Sequence, residues 1–197
     1  MKHTLTNITR ICLLIPAIGL LIISCSDNPI SSEVKSNEIS FSSEQISWIP
    51  WKPEYLEEKN SLNRVFVGQW ISAATGGTVG GDFTYNNQAW FPSGAVLEDT
   101  YISLEVIFTD EIFGQYAGGI EFLPSMQFEL DITVTMSYAY LDYAGDPADL
   151  IVYWSNDSGA SWYIVNEVLY DAILETATFQ VDHFTVFAWG EEPPGGE

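Results

Sequence analysis

Phe128, Leu130, Ile132, Val134, Met136 and Tyr138 alternate with Glu129, Asp131, Thr133, Thr135 and Ser137. Successive side chains of a strand point to opposite faces, so a period of two sustained over 11 residues predicts a half-buried strand. Ile102, Leu104, Val106 and Phe108 alternate in the same way with Tyr101, Ser103, Glu105 and Ile107, and Ala177, Phe179 and Val181 with Thr176, Thr178, Gln180 and Asp182. Shorter apolar segments predict strands over 66–74, 77–84, 88–91, 119–123, 149–154, 161–166 and 184–189. Between them lie turn formers: Thr75-Gly76-Gly77, Gly80-Gly81-Asp82, Asn86-Asn87, Gly145-Asp146-Pro147 and Asn156-Asp157-Ser158-Gly159. No window carries a helical stripe, and no repeat is visible. Many short strands within roughly 125 residues predict an all-β fold, a single antiparallel β-sandwich.

The start of the chain follows a different pattern. Lys2 and Arg10 precede an apolar run of 13 residues, Ile11 to Ile23, which ends in Ser24-Cys25. A spanning helix needs roughly 20 apolar residues, so this run fits the apolar region of a signal peptide. The order Ile22-Ile23-Ser24-Cys25 resembles the lipobox of bacterial lipoproteins. That resemblance implies removal of residues 1–24 and lipidation of Cys25 by two or three acyl chains. One chain holds a protein on a bilayer only marginally, whereas two or more hold it stably. Ser26 follows in place of Asp, which in the same family favours the outer membrane of a bacterial cell envelope. Cys12 lies in the discarded run.

Four segments are therefore expected: 1–24 as leader, 25–63 as lipidated cysteine, tether and aromatic arm, 64–190 as the sandwich, and 191–197 as a disordered tail. Ser26 to about Glu44 is rich in Ser, Asn and Glu and reads as a disordered tether. Such a stretch of about 19 residues reaches on the order of 24 Å. Trp48, Pro50, Trp51, Pro53 and Tyr55 follow, either as an arm packed on the domain or as a peptide for a partner.

Charge narrows the partners. Beyond residue 24, 4 basic residues (Lys35, Lys52, Lys59, Arg64) face all 27 acids, a net charge of about −23. From Val65 onward there is no Lys or Arg, against 20 acids. Phosphate contacts need Lys and Arg, so nucleic acid is excluded as a partner, and docking flat on anionic lipid is disfavoured. Membrane attachment through acyl chains, an envelope protein or a glycan remain. With Cys25 consumed by lipidation, no disulfide framework is available.

Three further segments resemble one domain family. Gly76-Gly77-Thr78-Val79 opens it, Trp90-Phe91-Pro92-Ser93-Gly94-Ala95-Val96 with Glu98-Asp99-Thr100 continues it, and Val181-Asp182-His183-Phe184-Thr185-Val186-Phe187-Ala188 closes it. This order is similar to the ZU-five domain, the β-sandwich named after zonula occludens and the netrin receptor Unc-five, in its bacterial extracellular form. The likeness spans roughly residues 70–189, with Val96 for the family's Leu and Thr185 for its Ser. It implies a sandwich used for interaction or structural duty, without catalysis.

The same resemblance raises a chemical alternative. Some ZU-five domains, and adhesion-receptor GAIN domains, cut themselves at a His-Phe-Ser or His-Leu-Thr sequence. Carried over, Thr185 Oγ would attack the Phe184 carbonyl while His183, the only histidine beyond the leader, takes the proton. The other reading is a histidine at a strand start with Phe184 in the core. Ser155-Asn156-Asp157-Ser158-Gly159-Ala160-Ser161-Trp162 matches the Asp-box of sialidase-like propellers, where it forms a folded hairpin. No cofactor is implied. Calcium is the candidate ion for Asp142, Asp146, Asp149 and Asp157, which alternatively form a solvated acidic turn. Seven Trp and ten Tyr suit either glycan stacking or a sandwich core.

Overall fold

The computed structural model describes residues 39–59, 65–108 and 117–192. In chain order its elements are β1 (Ser47–Trp48), helix α1 (Pro53–Lys59), β2 (Val65–Ile71), β3 (Gly77–Gly81), β4 (Asn87–Phe91), β5 (Thr100–Ile107), β6 (Gly119–Leu123), β7 (Gln127–Ser137), β8 (Ile151–Ser155), β9 (Tyr163–Ile164), β10 (Leu169–Asp171), β11 (Thr176–His183) and β12 (Val186–Glu191). Every pairing among them is antiparallel. One sheet runs β2-β5-β6-β12-β8-β9 with β1 added to β12, and the other runs β10-β11-β7-β4-β3. The chain is the predicted sandwich.

The alternation in β7 resolves as expected. Phe128, Ile132, Val134 and Met136 are buried between the sheets, while Glu129 and Asp131 are exposed. Leu130 breaks the pattern and is half in water, at 49 %. β12 shows no alternation, because Val186 through Gly190 are all buried. The reason is a second apolar layer. Phe187 and Trp189 face the inter-sheet core, whereas Val186 and Ala188 face outward into a separate cluster with Tyr153, Trp162, Ile46 and Trp48. The aromatic arm supplies the cover: Trp48 lies edge-on to Trp162 (4.8 Å between centroids) and to Tyr153 (5.7 Å).

The arm is therefore part of the domain, and the boundary at residue 64 moves upstream. The expected disorder up to Glu44 is corrected for residues 41–44. Phe41 exchanges both backbone hydrogen bonds with Trp162, at 2.8 Å each. Ser42 N–H donates to Gln45 Oε1 (2.7 Å), capping the short turn Ser43–Gln45. A polar composition concealed this order because the contacts come from residues more than a hundred positions away. The helix α1 also went unseen. It is 7 residues long, too short for a periodic signal, and starts at Pro53, whose fixed φ suits a first helical position. Two- and three-residue strands such as β1 and β10 carry no period either.

The glycines and turns of the family-like motifs build one corner. Gly76 has φ +73°, and a Cβ there would lie 2.0 Å from the Phe91 carbonyl oxygen. Gly94 N–H donates to Ala73 O (2.9 Å), Ser93 Oγ to Ala74 O (2.6 Å), and Ala73 N–H to Asp99 Oδ1 (2.9 Å). Three segments separated in sequence are thus tied to each other by backbone groups that would otherwise lack partners.

Candidate functional site

His183, Phe184 and Thr185 sit where the chain leaves β11 in one sheet and enters β12 in the other. A register shift between Val181 and His183 marks the change of direction, as bulges do at sheet corners. Phe184 is buried among three phenylalanines. It stacks on Phe122 at 4.3 Å and 8°, and meets Phe128 (4.7 Å) and Phe91 (5.5 Å) edge to face. Its N–H donates to Met126 O (2.8 Å), and Phe122 N–H donates to Thr185 O (3.3 Å). Thr185 is buried.

His183 looks the other way. Its Nδ1 lies 2.6 Å from the Asp182 carboxylate, and its ring packs edge-on against Trp154 at 4.7 Å. Among the described residues no hydrogen bond joins His183 to Thr185. The described backbone at this corner has no positive φ. A base that must take the Thr185 proton is hydrogen-bonded to a carboxylate instead. The three residues thus split: two enter the core, and one lines a surface groove.

Asp157 builds the Asp-box hairpin between β8 and β9. Its Oδ1 accepts from Ser155 Oγ (2.8 Å) and Ser161 N–H (2.8 Å), Ser155 Oγ also accepts from Gly159 N–H (2.8 Å), and Trp162 Nε1–H donates to Gly159 O (3.0 Å). These bonds, led by that from the Ser161 amide, hold the Asp157 carboxyl below its ordinary pKa of 3.8. Trp162 is fully buried beneath the hairpin. The hairpin reading holds.

The calcium candidates are not brought together. Among the described residues no three His, Cys, Asp or Glu side chains form a set able to hold a metal ion. Asp146 Oδ1 accepts from Ala148 N–H (3.0 Å) and caps the turn Pro147–Asp149, while Asp157 serves its own hairpin. Asp142 and Asp149 lie exposed in the same segment. Cys25 lies outside the described residues.

A groove of about 680 Å³ lies beside His183. It lies between the end of the seven-stranded sheet at β9 and the β11 side of the five-stranded sheet. Trp154, backed by Tyr163 at 4.7 Å and 28°, forms an aromatic wall. Asp131, Glu167 and Asp182 supply the charge. Asp182 is spoken for by His183 and by Gln127 Nε2 (3.3 Å), but among the described residues the side chains of Asp131 and Glu167 carry no hydrogen bond or ion pair. The volume falls within the roughly 300–1,000 Å³ of ligand clefts.

Sequence reasoning named His183 here but missed Trp154, Glu167 and Asp131. Asp131 was legible as a solvent-facing position of β7. Nothing local announced that it would line one groove with Trp154.

The aromatics divide between core and surface. Trp48, Trp51, Trp162 and Trp189 are buried, whereas Trp70 is 67 % exposed and meets Tyr101 at 66°, edge to face and not as a coplanar platform. No protein-family model matches the chain, and no curated protein matches it.

Proposed function

We propose that this chain is a membrane-anchored extracytoplasmic lipoprotein whose ZU-five-like β-sandwich is a non-catalytic interaction module. Acyl chains on Cys25 would fasten it to a bacterial cell envelope, with the outer membrane favoured by Ser26. The charged start, the 13-residue apolar run and the Ile22-Ile23-Ser24-Cys25 motif support the anchor.

The observation that carries the binding role is the groove. It combines an aromatic wall with the carboxylates of Asp131 and Glu167, which meet no Lys or Arg side chain among the described residues. Such a surface suits recognition of an uncharged or cationic partner and repels anions. The position of His183, bonded to Asp182 and pointing into that groove, supports binding over self-cleavage.

Metabolic labelling of the producing cells with a clickable palmitate tests the anchor. The expected result is a tagged protein whose tag disappears in Cys25→Ala; an untagged protein with an intact leader overturns it. Intact mass of the purified protein tests the non-catalytic reading. One uncleaved species is expected, whereas a 13-residue fragment beginning at Thr185, lost in Thr185→Ala, would restore the autoproteolytic alternative.

A further inference from the structure

The ladder that joins β11 to β7 leaves part of β11 bare. Tyr138 N–H donates to Glu175 O (2.9 Å), and in that register hydrogen-bonded pairs recur at Ala177–Met136, Phe179–Val134 and Val181–Ile132. The intervening residues turn their N–H and C=O to the opposite side. Thr176 and Thr178 meet β10 there, through Asp171 and Leu169. β10 begins at Leu169, and Glu167, with φ +56°, carries the chain away. Gln180 is next in the series, and among the described residues no strand lies beside it on the side away from β7, so its main-chain donor and acceptor face the groove.

Free strand edges are templates for another strand, and proteins usually blunt them with lysine, proline or a cover. Residues 176–183 contain neither Lys nor Pro. The groove beside this edge offers Asp131, Glu167 and Asp182 as charges and Trp154 as a flat apolar face.

From this geometry we propose that the groove takes an extended polypeptide segment bearing lysine or arginine side chains. The segment adds as a short strand along β11 at Gln180 and continues the line of β10. Its backbone satisfies the bare edge, its cationic side chains meet Asp131 and Glu167, and its apolar side chains lie on Trp154. A polyamine has donors but no alternating acceptors, and a glycan lacks the two-residue spacing of a strand, so neither matches the edge. This inference rests on reading the domain as a binding module, but not on the anchoring of Cys25.

The test is fluorescence anisotropy of the full-length chain in detergent with a labelled, end-capped heptapeptide, Thr-Lys-Val-Lys-Val-Lys-Thr. Binding is expected in the range of about 10–100 μM, weakening with salt because exposed charges are screened. N-methylation of alternate peptide amides should weaken it by about tenfold or more, since strand addition depends on main-chain bonds. The double variant Asp131→Asn, Glu167→Gln changes two side chains that make no hydrogen bond among the described residues; it should weaken binding about three- to tenfold and leave the fold intact by circular dichroism. Gln180→Pro, which deletes the edge N–H, should do at least as much; if that variant fails to fold, the methylated peptide carries the same question.

The proposal is overturned by no binding up to about 1 mM, or by equal binding of the methylated or the Glu-for-Lys peptide. Displacement of the peptide by chitohexaose at lower concentration than by unlabelled peptide also overturns it and makes the groove a glycan site. Failed palmitate labelling removes the anchor and leaves this result standing; failed peptide binding leaves the anchor standing.

Discussion

Two stretches of the seven-stranded sheet face outward with aromatic side chains, and only one of them is covered. At the β12-β8-β9 end, Tyr153 and Trp162 lie fully buried because Ile46 and Trp48 close over them. At the β2-β5 end, Phe66 (61 % exposed), Trp70 (67 %) and Tyr101 (46 %) stay in water on the same sheet. Local sequence does not separate the two, since both are short strands rich in aromatic residues. What separates them is a segment far upstream, whose two-residue strand β1 attaches to the end of β12. A sheet face counts as core only once something lies across it.

Breaking the cover should give the largest effect. Trp48 bridges Tyr153 and Trp162, and its Nε1–H donates to Ser43 O (3.0 Å). Trp48→Ala should lower unfolding free energy by about 3–5 kcal/mol, as buried Trp truncations do. Urea denaturation measures this, and a change under about 1 kcal/mol would mean the arm contributes little to the fold.

Gly190→Ala attacks the same cover from beneath, leaving every residue of the arm unchanged. A Cβ at Gly190 would come within 2.7 Å of Ile46 Cγ2 and 2.9 Å of Tyr153 Cε2. Overpacking of this kind costs about 1–3 kcal/mol. Burial, with a smaller contribution from the Glu192 charge, pushes the Tyr153 hydroxyl from 10.0 up to about 12. Because the folded value is the higher one, this group's contribution is fully present below pH 10 and is lost as pH rises towards 12. If the alanine lifts the arm, spectrophotometric titration should show one tyrosine ionising closer to 10, and an unchanged titration would show that the arm tolerates the methyl.

Asp157→Ala tests the hairpin on which the arm's partner Trp162 rests. Loss of a capping carboxylate should cost about 0.5–2 kcal/mol at neutral pH. The Asp157 pKa is depressed by folding, so its contribution is present above 3.8 and is lost as pH falls through the lower folded value. Parent and variant stabilities should therefore converge in acid, and a constant gap down to low pH would assign the loss to packing.

The smallest effect belongs to the bare end. Trp70→Ala removes an exposed ring that packs edge-on to Tyr101 and should change stability by no more than about 0.5 kcal/mol. A loss comparable to that of Trp48→Ala would show that this end too is covered in solution.

The candidate site was legible only in pieces. His183 stood out as a lone histidine in a motif, and Asp182 as its polar neighbour in an alternating strand. That they would face Trp154 depends on β8 of one sheet approaching β11 of the other, which are separated by more than twenty residues and share no local pattern. The acidic turn from Asp142 to Asp149 illustrates the converse. Its composition suggested an ion site, yet Asp146 bonds the Ala148 amide two residues on. Clustering in sequence does not ensure convergence of oxygens, because a carboxylate can cap a local N–H, as Asp146 does, or stay in water, as Asp142 and Asp149 do.

By itself the sequence determined the strands with a period of two, the turns between them, the hairpin around Asp157 and the lopsided charge, because each follows from neighbours within a few residues. Tertiary structure alone decided which outward faces became buried, that Phe41 and Trp48 belong to the domain, and that Gln180 presents an open edge beside Trp154. Those outcomes depend on pairing across sheets and on where strands end relative to one another. Burial is a property of two surfaces meeting, and only one of them is written locally.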